Sequence, residues 1–235
     1  ISFFAGYALE YLVIRHLYKR DHMEQVLATF GLILFFNEVI RVGFGPAALH
    51  SNLPASLSGF VYILPEIPYP EFRLLVILVG FACAIGIHLL VSRTRLGATV
   101  RAGASNAVMT AALGVNITRL RRLIFAIGAC FAGVAGMMLG PLISVEPGMG
   151  EPLLILSLVV IIIGGIGSVR GAFVAAIIVG MVDTMGRVML PVILRGFMEQ
   201  ASADGAGPAL ASMMVYILMA VVLVFKPTGL FPPNR

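Results

Sequence analysis

Charged residues are scarce in this sequence: Asp, Glu, Lys and Arg make up 11% of its 235 residues, against about 25% in an ordinary soluble domain. Histidine and cysteine are sparse too. The four histidines are scattered without metal-ligand spacing, so no metal site is expected. Cys83 and Cys130 each sit inside an apolar run and read as buried packing residues. Two such thiols make no disulfide framework and say nothing about redox compartment. No Gly-Lys-Ser/Thr follows a glycine cluster at the spacing of a phosphate-binding loop. No nucleophile–base pair stands out either, so the chain is not read as an enzyme and no cofactor is expected.

Apolar residues fill the gap, at 60% of the chain with a mean hydropathy of +1.03. A soluble fold of this length cannot hide that much apolar surface, so lipid must take up the excess. The net charge of +5 would suit nucleic acid if it were gathered on one face. Instead the cations lie in loops beside apolar segments, where Arg and Lys set membrane orientation. A nucleic-acid partner is not expected; membrane lipid is.

Seven apolar segments follow one another: 1–14, 26–44, 72–91, 123–140, 153–163, 172–190 and 209–225. The expected fold is an all-α membrane protein, a polytopic helical bundle in one transmembrane domain spanning 1–235. The chain opens at Ile1, already in an apolar stretch without a charged n-region, and reads as a fragment and not as a signal peptide. Residues 15–24 carry Arg15, Lys19 and Arg20 with Asp21 and Glu24, and 92–122 carry six arginines and no acid. Loop 45–71 is rich in proline (Pro46, Pro54, Pro65, Pro68, Pro70), with Glu66 and Glu71 as its charges, while 141–152 hold Glu146 and Glu151 and no base. The positive-inside rule then puts 15–24, 92–122 and the tail with Lys226 and Arg235 in the cytoplasm. Loops 45–71, 141–152 and 191–208 face the other side.

Residues 153–190 allow two readings. The run Leu153–Ile163 is short for a span and breaks at Gly164-Gly165-Ile166-Gly167-Ser168-Val169-Arg170-Gly171. Either two spans meet at a cytoplasmic turn, with Ser168 capping the next helix, or a re-entrant hairpin enters and leaves on one side. The two-span form is favoured. In a functional reading, the interrupted helix aims its N-terminal dipole at an anionic group of a solute. Gly164, Gly165, Gly167 and Ser168 are therefore candidates for the solute path.

Gly128, Ala132, Gly136 and Gly140 recur at four-residue spacing on one helix face. Small residues let helix backbones approach closely in lipid, and tight packing inside the subunit is the expected use, ahead of an interface with a second subunit. Ionisable groups within apolar segments are costly and usually paired or functional. Glu38 and Arg41 lie one turn apart, as do Asp183 and Arg187, whereas Glu10 stands alone. Helix-end ion pairs are the plain reading; Asn37, Glu38 and Asp183 are the candidates for recognising a polar or zwitterionic solute. His88 reads as an interface residue.

The basic loop 92–122 carries local helix signals. Ser105 or Asn106 can cap a short helix, Gly114 can end it, and Asn116 can cap the long helix that follows. The loop therefore reads as two short helices against the cytoplasmic surface. Anionic lipid would account for the arginines, but a capped, small-residue helix suits a groove on a soluble partner.

In four stretches the chain resembles the permease subunits of bacterial branched-chain amino acid ABC importers, the LivH/LivM type. They are Arg95-Leu96-Gly97-Ala98-Thr99-Val100-Arg101-Ala102, Ala111-Ala112-Leu113-Gly114-Val115-Asn116-Ile117-Thr118-Arg119, Phe131-Ala132-Gly133-Val134-Ala135-Gly136, and the glycine cluster through Ala172. The ending Lys226-Pro227-Thr228-Gly229-Leu230-Phe231 also matches. The resemblance implies a permease core of two such subunits in the bacterial inner membrane, two cytoplasmic ABC ATPase subunits and a periplasmic solute-binding protein. It implies further helices before Ile1. It makes 92–122 the coupling loop, with Arg101, Asn106, Ala111, Ala112 and Gly114 as ATPase-coupling candidates. Where that family's loop often carries an acid, this chain has Asn106 and Thr110. The alternative is an ion-coupled secondary transporter using Glu38, Asp183 and His88.

The topology is testable by labelling. With both native cysteines replaced, Ser105→Cys should react with an impermeant maleimide only after the membrane is opened. Labelling in intact cells would invert the orientation.

Overall fold

Inside a bilayer the backbone has no water to bond, so a spanning segment must satisfy its own N–H and C=O groups, as a helix does. The computed structural model describes residues 1–18, 20–49, 53, 57, 59–64, 67–196 and 200–231. Lys19, Pro54, Pro65, Glu66 and Arg235 lie outside the described residues. All seven apolar segments are helical, and five helices are long and apolar enough to cross a membrane. These are α3 (His22–Phe44), α4 (Glu71–Arg93), α7 (Ile117–Leu139), α9 (Val169–Leu194) and α10 (Gln200–Phe225). The short helices are α1 (Ser2–Leu9), which continues through a π-helical turn (Glu10–Ile14) into α2 (Arg15–Leu17), then α5 (Arg95–Ser105), α6 (Ala107–Ala112) and α8 (Gly150–Gly164). The fifteen residues of α8 reach about 22 Å, short of the roughly 30 Å hydrocarbon core. The chain is thus an all-α membrane protein, with five helices of spanning length among the described residues.

One exception to the all-α expectation lies in the proline-rich loop. Strands β1 (Phe60–Leu64) and β2 (Ile67–Pro70) form an antiparallel hairpin pairing Phe60 with Pro70 and Val61 with Tyr69. Proline cannot enter the body of a helix but is tolerated in an edge strand, which is why Pro68 and Pro70 sit in extended backbone. The loop's start is tied down as well: Leu49 and Val145 exchange backbone hydrogen bonds, each 2.9 Å. Loops 45–71 and 141–152, assigned to one membrane face by charge, therefore touch.

Contacts divide the chain into two compact units, Ile1–Met149 and Gly150–Arg235. In the first, α1 lies along α7 through small residues: Gly6 abuts Ala129, Gly133 abuts Ser2, and Ala126 is fully buried. Gly128, Ala132 and Gly136 take no part in this contact. A Cβ on Gly128 or Gly136 would meet nothing within 4 Å, and Ala132 is exposed. The face formed by 126, 129 and 133 lies well round the helix from 128 and 132, whereas Gly136, about two turns past Ala129, lies beyond the Ser2–Gly133 contact where α1 starts. Gly140, beyond the end of α7, is close to Val145: a Cβ on it would stand 3.1 Å from Val145 Cγ2. Cys130, expected buried, is exposed, and Cys83 is half-buried.

The second unit packs α8, α9 and α10 around Val159, Ile163, Ala175, Val179 and Val215. Here the sequence misjudged one connection. Residues 191–208 are not a loop, since α9 runs to Leu194 and α10 starts at Gln200. Pro191 and Pro208 both lie inside helices. Gly207 makes room for the Pro191 ring, and Gly186 for Ala211, so missing side chains let the two helices run closer and further than hydropathy indicates.

The C-terminal segment closes this unit. Leu230 N–H donates to the Ile163 carbonyl at 2.8 Å and Phe231 N–H to that of Gly164 at 3.2 Å. The tail thus supplies donors to the carbonyls that end α8, which have no partner within their helix. Gly165 (φ +98°) and Gly229 (φ +84°) face each other so closely that a Cβ on Gly229 would stand 2.5 Å from the Gly165 Cα. Gly229→Val should therefore release the tail. A positive φ alone strains a branched residue by about 1–3 kcal/mol, so thermal unfolding in detergent should occur earlier and residues 226–231 should become protease-sensitive. Unchanged melting with a protected tail would contradict this packing.

Candidate functional site

The arginine-rich loop is built by side-chain caps. Thr94 starts α5 by accepting from Gly97 N–H at 3.1 Å. Gly97 lies against the Leu90 and Val91 carbonyls, where a Cβ would overlap backbone, so the sharp elbow from α4 into α5 needs glycine. Asn106 Oδ1 accepts from Met109 N–H at 3.0 Å and starts α6; Asn116 Oδ1 accepts from Arg119 N–H at 3.0 Å and starts α7. Between the two expected caps the choice falls on Asn106, because the Ser105 hydroxyl donates to the Ala102 carbonyl at the end of α5. Gly114, with φ +88°, turns the chain from α6 into α7. Buried Thr110 fixes the start of α6 by donating to the Asn106 carbonyl at 2.8 Å.

These bonds hold α6 with one face outward. Ala111, Ala112 and Gly114 are exposed. So are three larger apolar side chains that sequence reading passed over: Val108 at 82%, Met109 at 63% and Leu113 at 80%. The signal was legible as three apolar residues in a stretch assigned to water, but periodicity is undefined over six residues. Arg101 behaves otherwise. Its guanidinium donates to the Val91 carbonyl near the end of α4, so it braces the elbow between α4 and α5.

Where α7 begins, a buried polar cluster joins it to the π turn. Glu10 is completely buried, and Arg122 Nε donates to its Oε2 at 2.9 Å. Glu10 therefore does not stand alone, contrary to the sequence reading; its partner is 112 residues away. Arg122 also donates to the Tyr7 hydroxyl at 3.2 Å and lies over the rings of Tyr7 (5.1 Å) and Tyr11 (4.7 Å). Arg15 covers Tyr11 and Arg121 covers Tyr18. Burial, and then the Glu10 carboxylate, push the Tyr18 phenol above its ordinary range against an opposing pull from Arg121, so this hydroxyl keeps its proton.

The solute-path candidates are divided between the two units, Asn37 and Glu38 in the first and Gly164, Gly165, Gly167, Ser168 and Asp183 in the second. Arg41 pairs with Glu38 at 3.6 Å on α3, both largely exposed, with Asn37 alongside. Arg187 Nε donates to Asp183 Oδ2 at 2.9 Å on α9. These are the within-helix pairs the spacing implied. Gly164 and Gly165 contact the tail, Gly167 takes φ +92° in the turn, and Ser168 Oγ accepts from Gly171 N–H at 3.0 Å. That is the capped-turn reading of the cluster. Asp183 lies fifteen residues beyond Ser168, about 22 Å along α9. His88 lies within α4. No group of three or more potential metal ligands occurs among the described residues.

The caps are the local test. Asn106→Ala should cost about 1 kcal/mol at the start of α6, or roughly fivefold faster amide exchange over 107–112. Unaltered exchange there would mean that packing alone holds the helix.

Comparison with known proteins places this geometry. The family described as branched-chain amino acid transport system / permease component matches residues 1–223. The permease protein BraD of the high-affinity branched-chain amino acid transport system of Pseudomonas aeruginosa is 28% identical over 230 residues, covering 96% of this chain and 69% of BraD. A probable branched-chain amino acid transport permease protein, LivH of Methanocaldococcus jannaschii, is 26% identical over 235 residues, with 94% and 69% covered. The Escherichia coli K12 LivH is 22% identical over 230 residues, with 96% and 69% covered. No solved structure matches significantly. With the match running through nearly all of its helices, the chain belongs to the family of branched-chain amino acid transport system permease components.

Proposed function

We propose that this chain is the membrane-spanning subunit of an ATP-driven (ABC) importer in the bacterial inner membrane, and that α6 is the helix its ATPase grips. The observation that carries the reading is the exposed apolar trio Val108, Met109 and Leu113 on a helix flanked by arginines. Exposed apolar side chains outside the bilayer mark a protein contact, because water there penalises them and a partner's groove does not. The sequence carries no phosphate-binding loop motif, and in this reading the energy enters from a separate subunit. Two ATPase subunits, a second permease subunit and a periplasmic solute-binding protein complete the assembly. The open stripe Gly128, Ala132 and Gly136 suits the contact with the second permease.

The names of the relatives make branched-chain amino acids, or related small polar solutes, the expected cargo. Asn37 with Glu38, and Asp183, are the polar groups within spanning helices that a zwitterion would meet. The ATPase drives the permease between inward- and outward-open states by displacing α6, and Gly114 is the joint through which α7 feels it.

Leu113→Asp should abolish co-purification of the ATPase. Gly114→Val, which forces a branched residue to a positive φ, should leave the complex assembled but cut solute uptake per ATP about tenfold or more. Uptake should stop on ATP depletion and survive proton and sodium uncouplers. The reverse pattern would support ion coupling through Glu38, Asp183 and His88.

A further inference from the structure

Glu10 is fully buried and the proposed function does not use it. Among the described residues it is the only buried charged side chain. Its Oε2 is held by Arg122, while its Oε1 is buried without a hydrogen-bond partner. The carboxylate thus depends on one guanidinium, carried by another helix. Separating the two would leave a charge stranded in a low-dielectric interior, which is far more costly than stretching an exposed pair. Glu10 opens a π-helical turn, a rare departure from the α-helix that is found mostly at functional positions.

Place in the chain gives this pair its meaning. Arg122 follows Gly114 by eight residues, so displacement of α6 enters α7 through the Asn116 cap and reaches Arg122 within the first two turns. Beyond Arg122, α1 touches α7 through the contacts of Gly6 with Ala129 and Ser2 with Gly133. Small-residue contacts hold by dispersion and tolerate sliding along the helix axis. The charge-assisted bond does not, because it is directional and its rupture exposes the carboxylate.

We propose that Glu10 and Arg122 are positioning residues for transport: their ion pair obliges α1 to follow the coupling helix, so that displacement of α6 reaches α1 and is not lost as slip along α7. The proposal rests on the reading that α6 docks an ATPase.

The test uses the complete permease–ATPase complex in proteoliposomes and compares Glu10→Gln, Arg122→Gln and the double variant. Solute moved per ATP hydrolysed is measured beside the amount of ATPase retained. Glu10→Gln should keep the ATPase and its hydrolysis while transport per ATP falls about tenfold, an ordinary strength for coupling between sites. Arg122→Gln should be the least stable of the three, since it alone strands the buried carboxylate. The double variant removes both charges and should regain assembly and thermal stability without regaining transport per ATP. Normal transport per ATP in Glu10→Gln, or its recovery in the double variant, would reduce the pair to packing and overturn the proposal. The ATPase-docking reading fails separately, if Leu113→Asp retains the ATPase in the unmodified Glu10–Arg122 background.

Discussion

A chain that crosses lipid must account for every backbone donor and acceptor without help from water, and the hardest places are where helices stop. Much of the local structure follows from that constraint. Thr94, Asn106, Asn116 and Ser168 each turn a side-chain oxygen onto an amide of the first turn of a helix. At the other polarity, the carbonyls that end α8 are met by the N–H groups of Leu230 and Phe231. Apart from Asn106, these residues lie in or next to the stretches that resemble the family, so that resemblance falls largely on helix ends.

Where the ends are fixed, glycine fixes how closely the pieces meet. Gly97 lets α5 fold back on the end of α4, and Gly165 with Gly229 lets the tail reach the turn after α8. In the glycine cluster, Gly164 and Gly165 meet the backbone of the tail, and Gly167 is exposed. Charge is distributed with the same economy. Glu38 with Arg41 and Asp183 with Arg187 neutralise themselves on their own helices, whereas Glu10 with Arg122 neutralises across two helices. The first kind leaves each helix free to move, and the second binds helices together.

The helices of the basic loop were readable in advance because capping is a short-range code: a side chain bonds an amide three residues on. Gly114, Asn116 and Ser168 were placed on that basis, and Asn106 was one of two candidates beside Ser105. The outward face of α6 was harder to read. Val108, Met109 and Leu113 became visible as a surface only when Thr110 was found turned inward.

The sequence by itself determined that this is a multi-pass helical membrane protein, where its apolar segments lie, and that Asn116 and Ser168 begin helices. Hydropathy and capping are sums over neighbours, so they need no knowledge of the fold. Only the tertiary structure decided that Glu10 has a partner, that α7 packs through Ala126, Ala129 and Gly133 and not through the parallel stripe, and that α9 and α10 extend past Pro191 and Pro208. It also decided that a β-hairpin occupies the proline-rich loop. Each of these depends on which surfaces meet across tens of residues, and a one-dimensional pattern carries no angle between helices and no distance between segments.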